Sequence, residues 1–164
     1  RYNLKRDLKD NKLCGVFTHQ CYFAHGALTR GFDDTFLVPH SRYGHIDINK
    51  INACEELVVL AGSERVGAYL LKNKSGSQVF ITGHPEYDAD SLKAEYERDL
   101  QKSPDAPKPE NYFPDDDASK QPSKTWQSHA FLLFSNWLNY YVYQTTPYDI
   151  NLVSQDVRTN NYAE

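Results

Sequence analysis

Between residues 57 and 82 three short apolar runs follow one another with only turn-forming residues between them, and that spacing limits what the chain can fold into. Leu57-Val58-Val59-Leu60-Ala61 and Ala68-Tyr69-Leu70-Leu71 are parted by Gly62-Ser63-Glu64-Arg65, and Gln78-Val79-Phe80-Ile81-Thr82 follows the turn Asn73-Lys74-Ser75-Gly76. The pattern predicts an antiparallel hairpin leading into a central strand. Upstream, Leu13-Cys14-Gly15-Val16-Phe17 and Thr35-Phe36-Leu37-Val38 are further strands, the second ending at Pro39-His40-Ser41-Arg42. Residues 1–12, charged and polar, are read as the tail of a helix or a linker.

Beyond the third run, Asp88 or Asp90 is placed to cap a helix with a side-chain oxygen, and Leu92, Tyr96 and Leu100 form its buried stripe. Residues 103–125 hold five of the eight prolines and Asp115-Asp116-Asp117, and are read as a long irregular connection. A final helix, roughly Trp126 to Thr145, is apolar on nearly every side, which predicts burial within more than one layer; its Tyr and Trp are core, not a stacking platform. Pro147 ends that helix, residues 1–149 belong to a single domain, and residues 150–164 are a polar tail. Strands alternating with helices, with no internal repeat, fit an open α/β sheet that binds ligands beyond the carboxyl ends of its strands.

A length of 164 residues suits one domain. A net charge of -4 argues against a nucleic-acid partner, since no excess of Lys and Arg is present to neutralise phosphates. No run of eighteen apolar residues could cross a membrane, and the N-terminal stretch lacks a secretory apolar core, so a soluble cytoplasmic protein is expected. Cys14, Cys21 and Cys54 show no metal-type spacing and are read as reduced, mostly buried thiols. The chain has no Met, so residue 1 is not expected to be the start of its gene.

Chemistry concentrates after the third run. In Gly83-His84-Pro85-Glu86 an extended exit from the strand points His84 and Glu86 the same way, with Pro85 stiffening the bend. The carboxylate can then fix the imidazole tautomer, leaving the other nitrogen to take a proton from a nucleophile or a substrate hydroxyl. The bland reading is a strand-end histidine satisfied by a nearby carboxylate, and the strand, glycine and proline context favours the first. Arg42 offers a fork of donors suited to a carboxylate and Ser41 a small polar group, in a site loop or an ordinary polar turn. His40, His45, His84 and Glu86 are too scattered along the chain for a zinc site, and no metal is expected. Arg98 falls off the apolar stripe and Asp115–Asp117 lie in a polar loop, both as ordinary solvated groups.

Six segments in order, Gly31-Phe32-Asp33-Asp34, Pro39-His40-Ser41-Arg42, Thr82 to Asp88, Asn111-Tyr112-Phe113-Pro114, Ser128-His129 and Asn136 to Gln144, resemble the homoserine O-succinyltransferase family of methionine biosynthesis. The resemblance runs from about Lys12 to Asp149. It implies a flavodoxin-like, class I glutamine-amidotransferase-like α/β fold with a Cys-His-Glu triad, and an acyltransferase that carries an acyl group from acyl-CoA on a cysteine thioester to the homoserine hydroxyl. On this resemblance His84 is the base and Glu86 its orienting carboxylate, while Lys12, Ser41 and Arg98 contact the amino-acid substrate. No cofactor is implied beyond acyl-CoA as co-substrate.

The family's nucleophile lies in a strand-to-helix elbow that matches none of Cys14, Cys21 and Cys54, so the chain is expected to be the C-terminal half of the enzyme and inactive alone. It should then expose a sheet edge and one side of its last helix. Homoserine with succinyl-CoA is the expected pair. Acetyl-CoA as donor, serine as acceptor, or an inactive homoserine-binding module are the alternatives, and a homodimer is the base-rate assembly. A glutamine amidotransferase or peptidase shares the His-Pro-Glu signature but not the segments around Phe113 and Trp137.

Overall fold

Five antiparallel strands build the core of the chain in a computed structural model that describes residues 2–146. They are β1 (Asp7–Cys21), β2 (Thr35–His45), β3 (Leu57–Ser63), β4 (Gly67–Asn73) and β5 (Val79–Ile81), in the spatial order β2-β1-β3-β4-β5. The short helix α1 (Ile48–Asn52) joins β2 to β3; α2 (Ser91–Lys102) and α3 (Gln127–Trp137) follow the sheet. The hairpin expected from the apolar runs is present, Leu57 facing Asn73 and Ser63 facing Gly67.

Several expectations are corrected. The charged N-terminal stretch is neither helix tail nor wholly linker: β1 starts at Asp7 and pairs with β2 across a bulge between Leu8 and Leu13. β5 is an edge strand of only three residues among the described ones, not a central strand. Pro39-His40-Ser41-Arg42 continues β2 instead of ending it. Pro39 faces Val16, and its missing N–H is tolerated because β2 is the sheet's other edge. Neither Asp88 nor Asp90 caps α2 through its side chain; the Ser91 hydroxyl instead accepts from the Asp88 N–H at 3.0 Å. The last helix is α-helical only to Trp137 and then widens into one π-helical turn, Leu138–Val142. The expectations for Pro147 and residues 150–164 lie outside the described residues.

Three apolar clusters hold the layers. On one face of the sheet Phe36, Val38, Leu60 and Leu70 pack with Leu28, Phe32 and Leu133 of α3. On the other, Ala68 and Leu71 meet Ile51 of α1. Midway along β1, Cys14 and Val16 pack against Leu92, Tyr112, Phe113 and Trp126. The proline-rich connection is therefore irregular yet anchored: Glu110 donates its N–H to Cys14 O and accepts from Val16 N–H, both at 2.9 Å.

α3 is not buried all round. Leu133 and Asn136 are its buried residues, while Phe131 is 71% exposed and Phe134 and Trp137 are also open to solvent. Buried Asn136 satisfies its amide by donating to Leu28 O at 3.1 Å and Arg30 O at 2.8 Å, tying α3 to the loop after β1.

Candidate active site

β1 pairs with β3 only through its last two residues, Gln20 and Cys21, and the segment following β5 turns back onto β2. Thr82 is pinned to β4, its N–H donating to Tyr69 O at 3.0 Å and its hydroxyl to Ala68 O at 2.7 Å. His84 N–H then donates to Pro39 O at 2.8 Å. Gly83 sits where only hydrogen fits: a Cβ there would lie 2.7 Å from Val38 Cγ1 and 3.0 Å from two atoms of the His40 ring. The fold thus presents His84 and Glu86 on a turn braced by two strands.

In that turn His84 Nδ1 lies 2.9 Å from Glu86 Oε1. A carboxylate at neutral pH only accepts, so the proton is on Nδ1 and Nε2 offers its lone pair outward. Nε2 has no hydrogen-bond partner among the described residues. The pair is open to solvent, with side-chain exposures of 32% for His84 and 56% for Glu86. One face of the imidazole is covered by Tyr87, whose ring stacks on it at 4.3 Å and 14°.

None of the three cysteines is hydrogen-bonded to His84. Cys14 is buried beside Lys12, Ser41 and Glu95, and burial pushes its thiol up, which disfavours a thiolate. The expectation of mostly buried thiols holds for Cys14; Cys21 and Cys54 are half-buried, and all three are free.

The structure brings Lys12 and Ser41 together through a residue the sequence reading did not single out, Glu95 of α2. Lys12 Nζ donates to Glu95 Oε2 at 3.0 Å and Asp99 Oδ2 at 2.7 Å. The Ser41 hydroxyl donates to the same Glu95 oxygen, and the Tyr87 hydroxyl to Oε1 at 2.5 Å. Burial acts to raise the Glu95 carboxyl, but the hydrogen bonds from Ser41, Tyr87 and Lys12 outweigh it and hold it below the usual carboxylate range. For Lys12, burial opposes the charge while Asp99 and Glu95 overcome it, raising the ammonium above its ordinary value. Arg98 is not drawn in: its side chain is 58% exposed and its guanidinium reaches Asp99 Oδ1 at 3.7 Å.

Beneath this surface lies a second feature the sequence reading passed over. His40, considered there only as a scattered metal ligand, is fully buried and places Nε2 3.1 Å from Nε2 of the equally buried His19. His19 Nδ1 faces Phe17 O at 2.9 Å. A carbonyl only accepts, so His19 carries its proton on Nδ1, His40 donates from Nε2, and His40 Nδ1 is left without a partner. No group of three or more His, Cys, Asp or Glu among the described residues is arranged to hold a metal ion. No helix among them is long and apolar enough to cross a membrane.

A family model described as homoserine O-succinyltransferase matches residues 1–148. A homoserine O-succinyltransferase from Pseudoalteromonas translucida (strain TAC 125) is 90% identical over 163 residues, which are 99% of this chain and 52% of that protein. A homoserine O-acetyltransferase from Petrotoga mobilis (strain DSM 10674 / SJ95) is 49% identical over 156 residues, 95% of this chain and 50% of the relative. The chain spans about half the length of the curated relatives it matches. Among solved structures, a glutamine amidotransferase from Thermotoga maritima matches with a TM-score of 0.54 at 13% identity, covering 84% of this chain and 54% of that one. That likeness shows the α/β fold expected from the resemblance.

Proposed function

The chain belongs to the homoserine O-succinyltransferase family, and we propose that it supplies the base and the acceptor subsite for acyl transfer from succinyl-CoA to the homoserine hydroxyl. The observation that carries this reading is the His84–Glu86 pair: Nδ1 is committed to a carboxylate at 2.9 Å and Nε2 is free at a solvent-facing turn. In the proposed reaction a cysteine thiolate first attacks the acyl-CoA carbonyl, forming a thioester and releasing CoA. His84 Nε2 then takes the proton of the homoserine hydroxyl as its oxygen attacks the thioester carbonyl. The thiolate leaves with the electron pair of the C–S bond, and Glu86 stabilises the imidazolium. No step calls for a metal or a resident cofactor.

Lys12 and Ser41 meet at Glu95 within one tyrosine of the base, an arrangement suited to an amino acid. Lys12 and Ser41 can engage its carboxylate and Glu95 its ammonium. Arg98 follows Glu95 by three residues, hence on the same face of α2, with its guanidinium open to a second contact on the carboxylate. The nucleophile in this reading is none of Cys14, Cys21 and Cys54, whose positions away from His84 support that assignment. The exposed face of α3 and the edge strand β5 support a role as one part of a larger acyltransferase domain, with residues 1–149 as its acceptor side.

The relative at 90% identity bears the succinyl name, which favours succinyl-CoA; that the relative at 49% bears the acetyl name keeps acetyl-CoA as the second reading. The test joins this chain to the remaining residues of the Pseudoalteromonas translucida relative and measures homoserine-dependent CoA release. Serine in place of all three cysteines of this chain is expected to leave release within a few-fold, and succinyl-CoA is expected to be the better donor. Loss of release on replacing any one of the three would overturn the assignment of the nucleophile.

A further inference from the structure

No hydrogen bond or ion pair joins His84 directly to Lys12, Ser41 or Glu95 among the described residues, yet one side chain touches both parts of the site. Tyr87 closes the turn after the base, its N–H donating to His84 O at 3.2 Å. Its ring lies flat against the imidazole, centroids 4.3 Å apart and planes 14° from parallel. Its hydroxyl donates to Glu95 Oε1 at 2.5 Å. The backbone is held from a second side, because the indole of buried Trp126 donates to Tyr87 O at 3.0 Å. With its backbone fixed, the tyrosine can respond only through its side chain, which is tied at one end to the base and at the other to the carboxylate.

We propose that Tyr87 is a positioning residue that couples occupation of the acceptor subsite to the orientation of the His84 imidazole. The inference rests on the homoserine reading of that subsite. Lys12 and Ser41 are both engaged on Glu95 Oε2, while Oε1 is held by the tyrosine. A substrate carboxylate that draws Lys12 or Ser41 to itself, while the substrate ammonium takes their place on Glu95, exchanges the donors on Oε2. Charge-assisted hydrogen bonds are the strong ones in such a cluster, so the exchange repositions the carboxylate and with it the phenol bonded to Oε1. The ring then shifts across the imidazole it covers. The same ring face is attractive to the imidazolium formed on proton abstraction, so its placement favours the charged state of the base.

The two ends of the side chain can be cut separately. Tyr87→Phe removes the hydroxyl and keeps the stack; Tyr87→Leu removes both. Nuclear magnetic resonance of the imidazole and ammonium groups of these residues in the joined enzyme, titrated with L-homoserine at constant pH, reads the coupling. In the unsubstituted protein the His84 ring signals should move along the same binding curve as Lys12. In Tyr87→Phe the Lys12 signals should still move while the His84 response falls several-fold, and unchanged His19 and His40 ring signals report that the fold is kept. An undiminished His84 response in Tyr87→Phe overturns the coupling and leaves the homoserine reading intact. No movement at Lys12 in the unsubstituted protein overturns the homoserine reading and this inference with it. A second readout is kinetic, in the joined enzyme. Tyr87→Phe is expected to lower kcat about fivefold, the equivalent of one ordinary hydrogen bond, with KM for homoserine within about twofold. A change confined to KM would overturn the proposal.

Discussion

At the scale of single residues, the members of the site differ in how far they could be read from the chain. His84 and Glu86 are two positions apart at a strand exit, so local periodicity alone places them on one side. Glu95 meets Ser41 across 54 residues and His40 meets His19 across 21, and no local pattern encodes pairs made by tertiary folding. The histidine pair has a measurable consequence. Burial pushes His19 down to about 4, and burial together with the His19 ring pushes His40 down to about 2, whereas an unfolded histidine titrates near 6.5. Above 6.5 both states are neutral and the pair adds no pH dependence. As pH falls below that value the unfolded chain takes up protons the fold refuses, and stability is lost by about 1.4 kcal/mol per pH unit for each histidine until its folded value is reached. Urea unfolding between pH 7 and pH 5 should therefore show a steeper loss of stability in the unsubstituted protein than in the double variant His19→Gln/His40→Gln. Parallel slopes would show that the buried pair is not held neutral.

At the scale of elements, the hairpin of β3 and β4 was legible because two apolar runs are parted by a short polar break. Gly62 and Ser63 nonetheless belong to β3, and the turn itself is residues 64–66, followed by Gly67 at φ +86°. β1 was underestimated because the polar stretch at its start runs through the bulge between Leu8 and Leu13, and Lys12 is satisfied there by Glu95 and Asp99 of α2, contacts no local pattern encodes. Gly15 shows why the proline-rich connection cannot be read alone. Its φ is +147°, and a Cβ would overlap the Glu110 carbonyl where that strand meets the connection. Gly15→Ala is expected to destabilise the fold by about 3 kcal/mol, combining backbone strain with displacement of the connection, as read from chemical denaturation. Asn136→Ala should cost about 1–3 kcal/mol, because the Leu28 and Arg30 carbonyls lose their donor. A denaturation midpoint unchanged in either variant would contradict these assignments.

At the scale of the whole molecule, the apolar character of α3 was plain in the sequence, but which of its sides meets the sheet was not. Leu133 is buried, whereas Phe131, Phe134 and Trp137 form an exposed apolar face, with Phe80 and Ile81 of β5 also partly open. Contiguous apolar surface of this kind drives association in water. The isolated chain is expected to self-associate with rising concentration in sedimentation velocity, and Phe131→Glu with Trp137→Glu to reduce it; a monomer throughout would show that this face does not drive association. The central claim, that His84 is the base for acyl transfer to homoserine, is tested most directly by homoserine-dependent CoA release in the joined enzyme with His84→Ala. The expected result is a loss of about a thousandfold or more, as when a triad member is removed. Release within tenfold of the unsubstituted enzyme would contradict it.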